Sequence, residues 1–309
     1  MLPKLGLGTW LCRPAVRGVF WTVAVFAAAI AGVCARERIL KLADRWDSPQ
    51  PIIDRSAGTL FIAGGGSLSP NLKREFIHLA GDEKARIVVI PGCNVEPSGL
   101  QEYADDWKLL GVAEVSVLHA DSRSIAEAPP FSESLETATG VWLSGGAQTW
   151  FSAWYRGTKV EERLRGVLQR GGVIGGTSAG ASAMSDVMMA GGRGEPIVGK
   201  GLGLFPEVIV DQHFLKRNRI TRMIKLLDQY PDYIGVGIDE GTALIVELKH
   251  GQLSISGTSY VMAYVPKTTI GEPRLEVLKP GDHITLADLR NPEAAIVPGW
   301  IAESILSGE

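Results

Sequence analysis

The stretch GGVIGGTSAGASAM, residues 171–184, sets Ser178 inside a Gly-x-Ser-x-Gly pattern made by Gly176, Thr177, Ala179 and Gly180. A serine hydroxyl becomes a nucleophile when a base takes its proton. A tight strand-to-helix turn can present that hydroxyl at a sheet edge, with helix N–H groups and their partial positive charge close by. Such a turn holds strained backbone angles, and bulky side chains two positions away would collide across it. Small residues also crowd ordinary strand-to-helix junctions, so the motif needs a base and an acid before it means chemistry.

His213 is the candidate base, because it follows EVIVD and precedes FLKRNRITR, at the carboxyl end of a strand. The other histidines sit in plainer surroundings: His78 in a helix, His119 at a strand terminus, His250 in a hairpin turn, His283 in a polar segment. A base of this kind needs an orienting carboxylate. GVGIDEGTA offers two at another strand end, Asp239 and Glu240, which point opposite ways if the chain is extended. The order Ser, His, acid departs from the Ser, acid, His order of the α/β-hydrolases.

Positioning these groups requires several strands ending at one edge. TLFIAG, RIVVIPG, EVSVLHA, GVWLSGG, GVIGGTS, EVIVDQH and GVGIDE read as short apolar strands. Helical patterns separate them over residues 70–80, 98–110, 159–169 and 216–229. The alternation predicts an α/β fold with a doubly wound, mostly parallel sheet, whose ligands collect at the carboxyl ends of the strands. From Thr242 onward, TALIVELKHGQLSISGTSYVMAYV alternates around turn residues, so antiparallel strands close the domain.

The 309 residues are 45% hydrophobic, enough for a sizeable core, and the formal charge of −3 argues against a nucleic-acid partner. Lys4, Arg13 and Arg17 precede an apolar run from Val19 to Val33, followed by Cys34 and Ala35. The run is shorter than the roughly 20 residues that span a bilayer, and it ends in small residues. Residues 1–35 therefore read as a signal peptide cleaved after Ala35, with export to the periplasm or the exterior; the alternative is an uncleaved membrane anchor. Residues 36–57 read as a linker and 58–309 as a single α/β domain. The exported chain would keep Cys93 alone, which excludes an internal disulfide, and with neither a CxxC pair nor HExxH no metal or cofactor is expected.

Over roughly residues 59–264 the sequence resembles the serine peptidase family that contains cyanophycinases and aspartyl dipeptidases. LSGGAQ, GGTSAGASAM, DQHFLKRNRITRM and GIDEGTA carry the likeness, and the Arg-bearing segment is closer to cyanophycinase. The resemblance implies a flavodoxin-like three-layer sandwich related to class I glutamine amidotransferases. It also implies a triad of Ser178 as nucleophile, His213 as general base and Glu240, rather than Asp239, as the orienting acid. It further implies a substrate pocket of Gln148, Asp211, Gln212, Arg217, Arg219 and Arg222. The chain departs from the cyanophycinase pattern at Ala147, where an acidic residue commonly precedes the glutamine.

Chemistry supports part of this independently. Arginine forks pair with carboxylates, so three of them within six positions beside the base suit a substrate with several carboxyl groups. Arg219 and Arg222, three apart, would share a helix face; the plain alternative is a solvated basic face. Asp211 either meets a substrate guanidinium or pairs with one of these arginines. Backbone N–H groups at Gly146 and Ala179 would form an oxyanion hole. The expected activity is exopeptidase hydrolysis of cyanophycin, an aspartate backbone with arginine side chains, to β-Asp-Arg dipeptides. The alternatives are an aspartyl or isoaspartyl dipeptidase and a non-catalytic binding relative; the latter should lack a triad member, and none is missing. An amidotransferase would want Cys at the elbow and an ammonia-accepting domain. The membrane would be met only through an uncleaved N-terminal segment, and a homodimer is among the assemblies open to the chain.

Overall fold

A computed structural model describes residues 57–265 and 273–290. The expected signal peptide, and all of the expected linker but its last residue, lie outside them. Among the described residues no helix is long and apolar enough to cross a membrane.

Strands β1 (Thr59–Ala63), β2 (Arg86–Gly92), β3 (Glu114–Val117), β4 (Gly140–Gly146) and β5 (Val173–Thr177) stand in the order β1, β5, β4, β2, β3, with every neighbouring pair parallel. Their apolar residues alternate between two cores. Phe61, Val89, Trp142 and Val173 face one side, and Leu60, Ile62, Leu143 and Ile174 face the other. Burial on both faces is what a parallel sheet demands, because crossover helices cover it twice.

Helices α1 (Pro70–Leu79) and α2 (Leu100–Lys108) cover the first face. Ser69 caps α1 by accepting from the Leu72 N–H, and Pro70 fills the first helical position, where no amide donor is needed. Phe61, Phe76, Trp107 and Trp142 meet there with ring centroids 4.9–6.1 Å apart, mostly edge-on. Each such pair adds about 0.5–1.5 kcal/mol beyond its buried area. Helices α3 (Gln148–Tyr155), α4 (Lys159–Gln169) and α5 (Ala179–Ser182) cover the second face. Phe151 and Tyr155 are fully buried, so the aromatic run of α3 belongs to the core.

Beyond β1 the sheet continues with antiparallel strands. A hairpin, β6 (Val187–Gly191) with β7 (Ile197–Lys200), precedes β8 (Val208–Asp211) and β9 (Ile234–Ile238). β10 (Thr242–Glu247) pairs antiparallel with β1, followed by β11 (Gln252–Gly257); β12 (Val261–Val265) and β13 (Arg274–Leu278) come next in the chain, and β14 (His283–Thr285) closes the main sheet on β11. The result is an α/β fold with a mostly parallel central sheet of eight strands.

Two expectations change. EVIVDQH and GVGIDE do form strands, but β8 and β9 pair parallel with each other and join β12 and β13 in a separate four-stranded sheet. The place beside β1 is taken by β10, and the small sheet buries Val208, Val210 and Val236 against the second face instead. The helix expected over residues 216–229 is α6 (Ile220–Leu227), preceded by turns. His213 and Asn218 have φ of +46° and +48°, a region that interrupts a right-handed helix. Arg219 thus stands at the N-cap of α6 rather than on a shared helical face with Arg222.

Candidate active site

Ser178 links β5 to α5 with φ +52° and ψ −111°, a backbone strain that L-residues carry only when their surroundings enforce it. Its N–H donates to the Ala63 carbonyl at 3.1 Å, which ties the turn to the end of β1. The flanking glycines are there for space. A Cβ on Gly176 would meet the Gly180 carbonyl carbon at 2.8 Å, and one on Gly180 would meet the Leu143 oxygen at 2.1 Å. Packing and chemistry, the two readings of the motif, therefore coincide: the crowding is what creates the turn.

His213 arrives from the small sheet, just beyond β8. Its ring Nε2 lies 2.9 Å from Ser178 Oγ, and its Nδ1 lies 2.6 Å from Glu240 Oε1. The carboxylate holds the ring proton at Nδ1, so Nε2 accepts from the serine hydroxyl. Burial pushes the His213 pKa below the ordinary histidine value, with the Arg217 and Arg219 charges adding to it. The Glu240 hydrogen bond works the other way without prevailing. The imidazole is neutral near neutrality, the state in which it can take a proton.

Glu240 and Asp239 separate cleanly. Asp239 accepts from the Lys216 N–H and the Ser259 hydroxyl, each at 2.9 Å. Burial alone would raise its carboxyl, yet these donors hold it below the usual carboxylate range. Asp239 thus anchors the turn after His213, while Glu240 faces the imidazole.

The segment Gly64-Gly65-Gly66, which sequence reasoning did not single out, seats these parts. The Gly64 carbonyl accepts from the His213 N–H at 2.7 Å, and the Gly65 carbonyl from the Gly241 N–H at 3.1 Å. A Cβ on Gly65 would stand 2.5 Å from the His213 ring, and one on Gly66 would stand 3.0 Å from the Glu240 carboxylate. Three consecutive glycines after a buried strand were the available signal for such an approach.

Asp211 is completely buried and accepts from Arg222 on both carboxylate oxygens, with Nε at 2.7 Å from Oδ2. Arg219 Nη1 reaches the same carboxylate at 3.2 Å, the Gln212 carbonyl at 2.7 Å and Gln212 Oε1 at 3.0 Å. Arg222 also donates to the Gly192 carbonyl in the β6–β7 turn. Of the two readings of Asp211, pairing with arginines is the one present. One buried anion stands against two guanidinium groups, which leaves a net positive charge behind His213. Arg217 is exposed, and its charge is felt at His213. Gln148 Nε2 donates to the Met189 and Ala190 carbonyls at 2.9 Å each, in the hairpin whose turn accepts from Arg222.

Gly146 ends β4 with φ +143°, its Cα so close to Gly92 that a Cβ would meet that carbonyl oxygen at 2.2 Å. A Cβ on Gly145 would stand 3.8 Å from Ser178 Cβ, so this strand end adjoins the serine. The Ala179 N–H opens α5 and has no acceptor within its own helix. Cys93 is half-buried with its Sγ 3.6 Å from the Tyr103 hydroxyl.

Comparison with known proteins fits this arrangement. The chain is 34% identical over 247 residues to a cyanophycinase of Synechococcus elongatus, covering 72% of this chain and 76% of the relative. It is 36% identical over 228 residues to a cyanophycinase of Nostoc sp. (strain PCC 7120 / SAG 25.82 / UTEX 2576), covering 70% and 75%. Among solved structures, a peptidase from an acI-B1 Actinobacterium superposes with a TM-score of 0.62 at 25% identity, over 75% of this chain and 98% of that one. The model of "Peptidase family S51" matches residues 59–254, from the first strand through the elbow, the histidine and both carboxylates, and the chain is a serine peptidase of that family.

Proposed function

We propose that this peptidase hydrolyses cyanophycin to β-Asp-Arg dipeptides, with Ser178 as nucleophile, His213 as general base and Glu240 as its orienting acid. The observation that carries the reading is the hydrogen-bonded line from Ser178 through His213 to Glu240, flanked by the Arg217 and Arg219 charges. Ser178 Oγ attacks the scissile carbonyl carbon while its proton passes to His213 Nε2. The tetrahedral oxyanion is held by the N–H groups of Gly146 and Ala179, a type of contact worth about 10²–10³ in rate per donor. His213 then returns the proton to the departing amine as the C–N bond breaks. Water, deprotonated by the same nitrogen, hydrolyses the acyl-enzyme and restores the serine.

Arg217 and Arg219 attract the carboxylates of the substrate, with Gln212 beside Arg219. Arg222 and Asp211 act one layer further back, holding Arg219 in place. Gln148 fixes the β6–β7 hairpin at the border of the site. The work takes place outside the cytoplasm, as residues 1–35 imply.

Purified protein incubated with cyanophycin and, separately, with β-aspartyl dipeptides lacking arginine tests the reading by mass spectrometry. Release of β-Asp-Arg from the polymer is expected. Turnover of the small dipeptides alone makes it an isoaspartyl dipeptidase instead. N-terminal sequencing of the chain expressed with its native leader should begin at Arg36.

A further inference from the structure

A cavity of about 300 Å³ opens on the α1–α2 side of the main sheet, away from the arginine cluster, and reaches the elbow through Thr177 and Gly66. Thr177 immediately precedes Ser178, and Gly66 packs against Glu240. The cavity therefore adjoins the nucleophile from the side that none of the substrate contacts above uses.

Its chemistry is mixed in a specific way. Lys73 Nζ and Asp106 Oδ2 stand 3.2 Å apart at one wall, with the ammonium 5.9 Å above the Trp107 ring. Tyr103 is beside them; burial, then the Cys93 thiol, push its pKa up to about 12, so the phenol keeps its proton as a donor. At the end nearest the serine, the Thr177 hydroxyl is buried without a hydrogen-bond partner among the described residues. An apolar guest would leave that hydroxyl unmatched, at a cost that buried polar groups rarely bear. A guest with a single charge would attract one member of the Lys73–Asp106 pair and repel the other. A guest with both charges exchanges one ion pair for two.

We propose that this cavity is a second substrate subsite that takes an amino-acid unit bearing both a free carboxylate and a guanidinium, the carboxylate on Lys73 and the guanidinium on Asp106 against the aromatic wall. The inference rests on the substrate reading above: an arginine joined through its α-amino group to an aspartate side chain keeps both groups free. The neighbouring unit of the polymer is then held on one side of Ser178 while the unit at the arginine cluster is held on the other. Such two-sided grip favours chains over single dipeptides.

Binding to Ser178→Ala, which needs no hydrolysis, separates this from the activity itself. Titration calorimetry would use a peptide of two β-Asp-Arg units, its two analogues with citrulline, the neutral isostere of arginine, at one unit or the other, and its two analogues with the arginine carboxylate of one unit or the other replaced by carboxamide. The Ser178→Ala protein should prefer arginine at both units. Adding Asp106→Asn should abolish the preference at one unit only, a loss of about fivefold for a partly exposed ion pair. Adding Lys73→Met should likewise abolish the preference for carboxylate over carboxamide at that same unit. Unchanged preferences, equal loss at both units, or no measurable binding overturns the subsite. Wild-type protein that fails to cleave the two-unit peptide, while these preferences shift as described, overturns the cleavage reading and leaves the subsite standing.

Discussion

The elbow on the main sheet and the turn that carries His213 on the small sheet solve positioning in opposite ways. Around Ser178 the chain removes side chains: Gly176 and Gly180 let backbone approach backbone to distances that a Cβ would forbid. Around His213 it adds charges, with Asp211 fully buried between Arg219 and Arg222 and Asp239 accepting from a backbone N–H. The first region is specified by shape and the second by electrostatics. Shape fixes where the nucleophile sits, while burial, with the Arg217 and Arg219 charges adding to it, keeps its base neutral.

The largest effect should come from Ser178→Ala, which removes only the hydroxyl. A loss of about 10⁴–10⁶ in kcat with an unchanged melting temperature is expected. Near-normal turnover would remove the chemical meaning of the elbow.

Asp211→Ala should strike stability instead. It leaves Arg222, 3% exposed, without its anion, and breaking such a buried pair costs about 3–5 kcal/mol. Combining it with Arg222→Met should recover much of the loss in a denaturant titration, since no charge is then stranded. A melting temperature close to wild type in the single variant would show that the small sheet does not depend on this network.

Gly65→Ala tests shape on the histidine side. The new Cβ would stand 2.5 Å from the imidazole at a backbone φ of +101°, so the ring must move. Displacing a base by about 1 Å costs on the order of 10²-fold in kcat. Unaltered kcat would mean that the ring tolerates the intrusion.

The pH profile is a smaller but sharper probe. Because burial, Arg217 and Arg219 lower the His213 pKa, the neutral base persists below the ordinary value of about 6.5, and the acidic limb of kcat/KM should fall only below that point. A midpoint above it would contradict the geometry. The mildest change is Arg217→Ala, whose side chain is exposed. Removing its charge should move that midpoint upward and raise KM by about two- to fivefold, the range of exposed ion pairs. Identical profiles and KM would assign Arg217 to a solvated surface.

Much of the main sheet could be read directly, because each strand is an apolar run bounded by glycine or a polar residue and each crossover helix carries the matching period. Ser178 and His213 were legible for the same reason: both stand where a strand stops. Glu240 was not separable from Asp239 by pattern, since the choice depends on a side-chain direction set by the Lys216 N–H and Ser259 hydroxyl that claim Asp239. The small sheet escaped because periodicity identifies a strand and says nothing of its partner. The late start of α6 escaped too. Lys216, Arg217 and Arg219 all favour helix, while two left-handed backbones override them: His213, whose N–H is held by the Gly64 carbonyl, and Asn218, a residue type that tolerates that region.

That the serine and its base belong to different sheets has a consequence for how the enzyme comes into being. The elbow is built from β1, β4 and β5, whereas the imidazole reaches it only when the small sheet, which needs β9 and β12, has docked and the His213 N–H has found the Gly64 carbonyl. Both closures are non-local, since Ser178 N–H must find the Ala63 carbonyl as His213 N–H must find that of Gly64, and such closures slow folding. A chain whose small sheet had not yet docked would carry a serine with no base beside it, so peptidase activity requires both sheets in place. Until that docking the chain is, in this respect, its own inactive precursor.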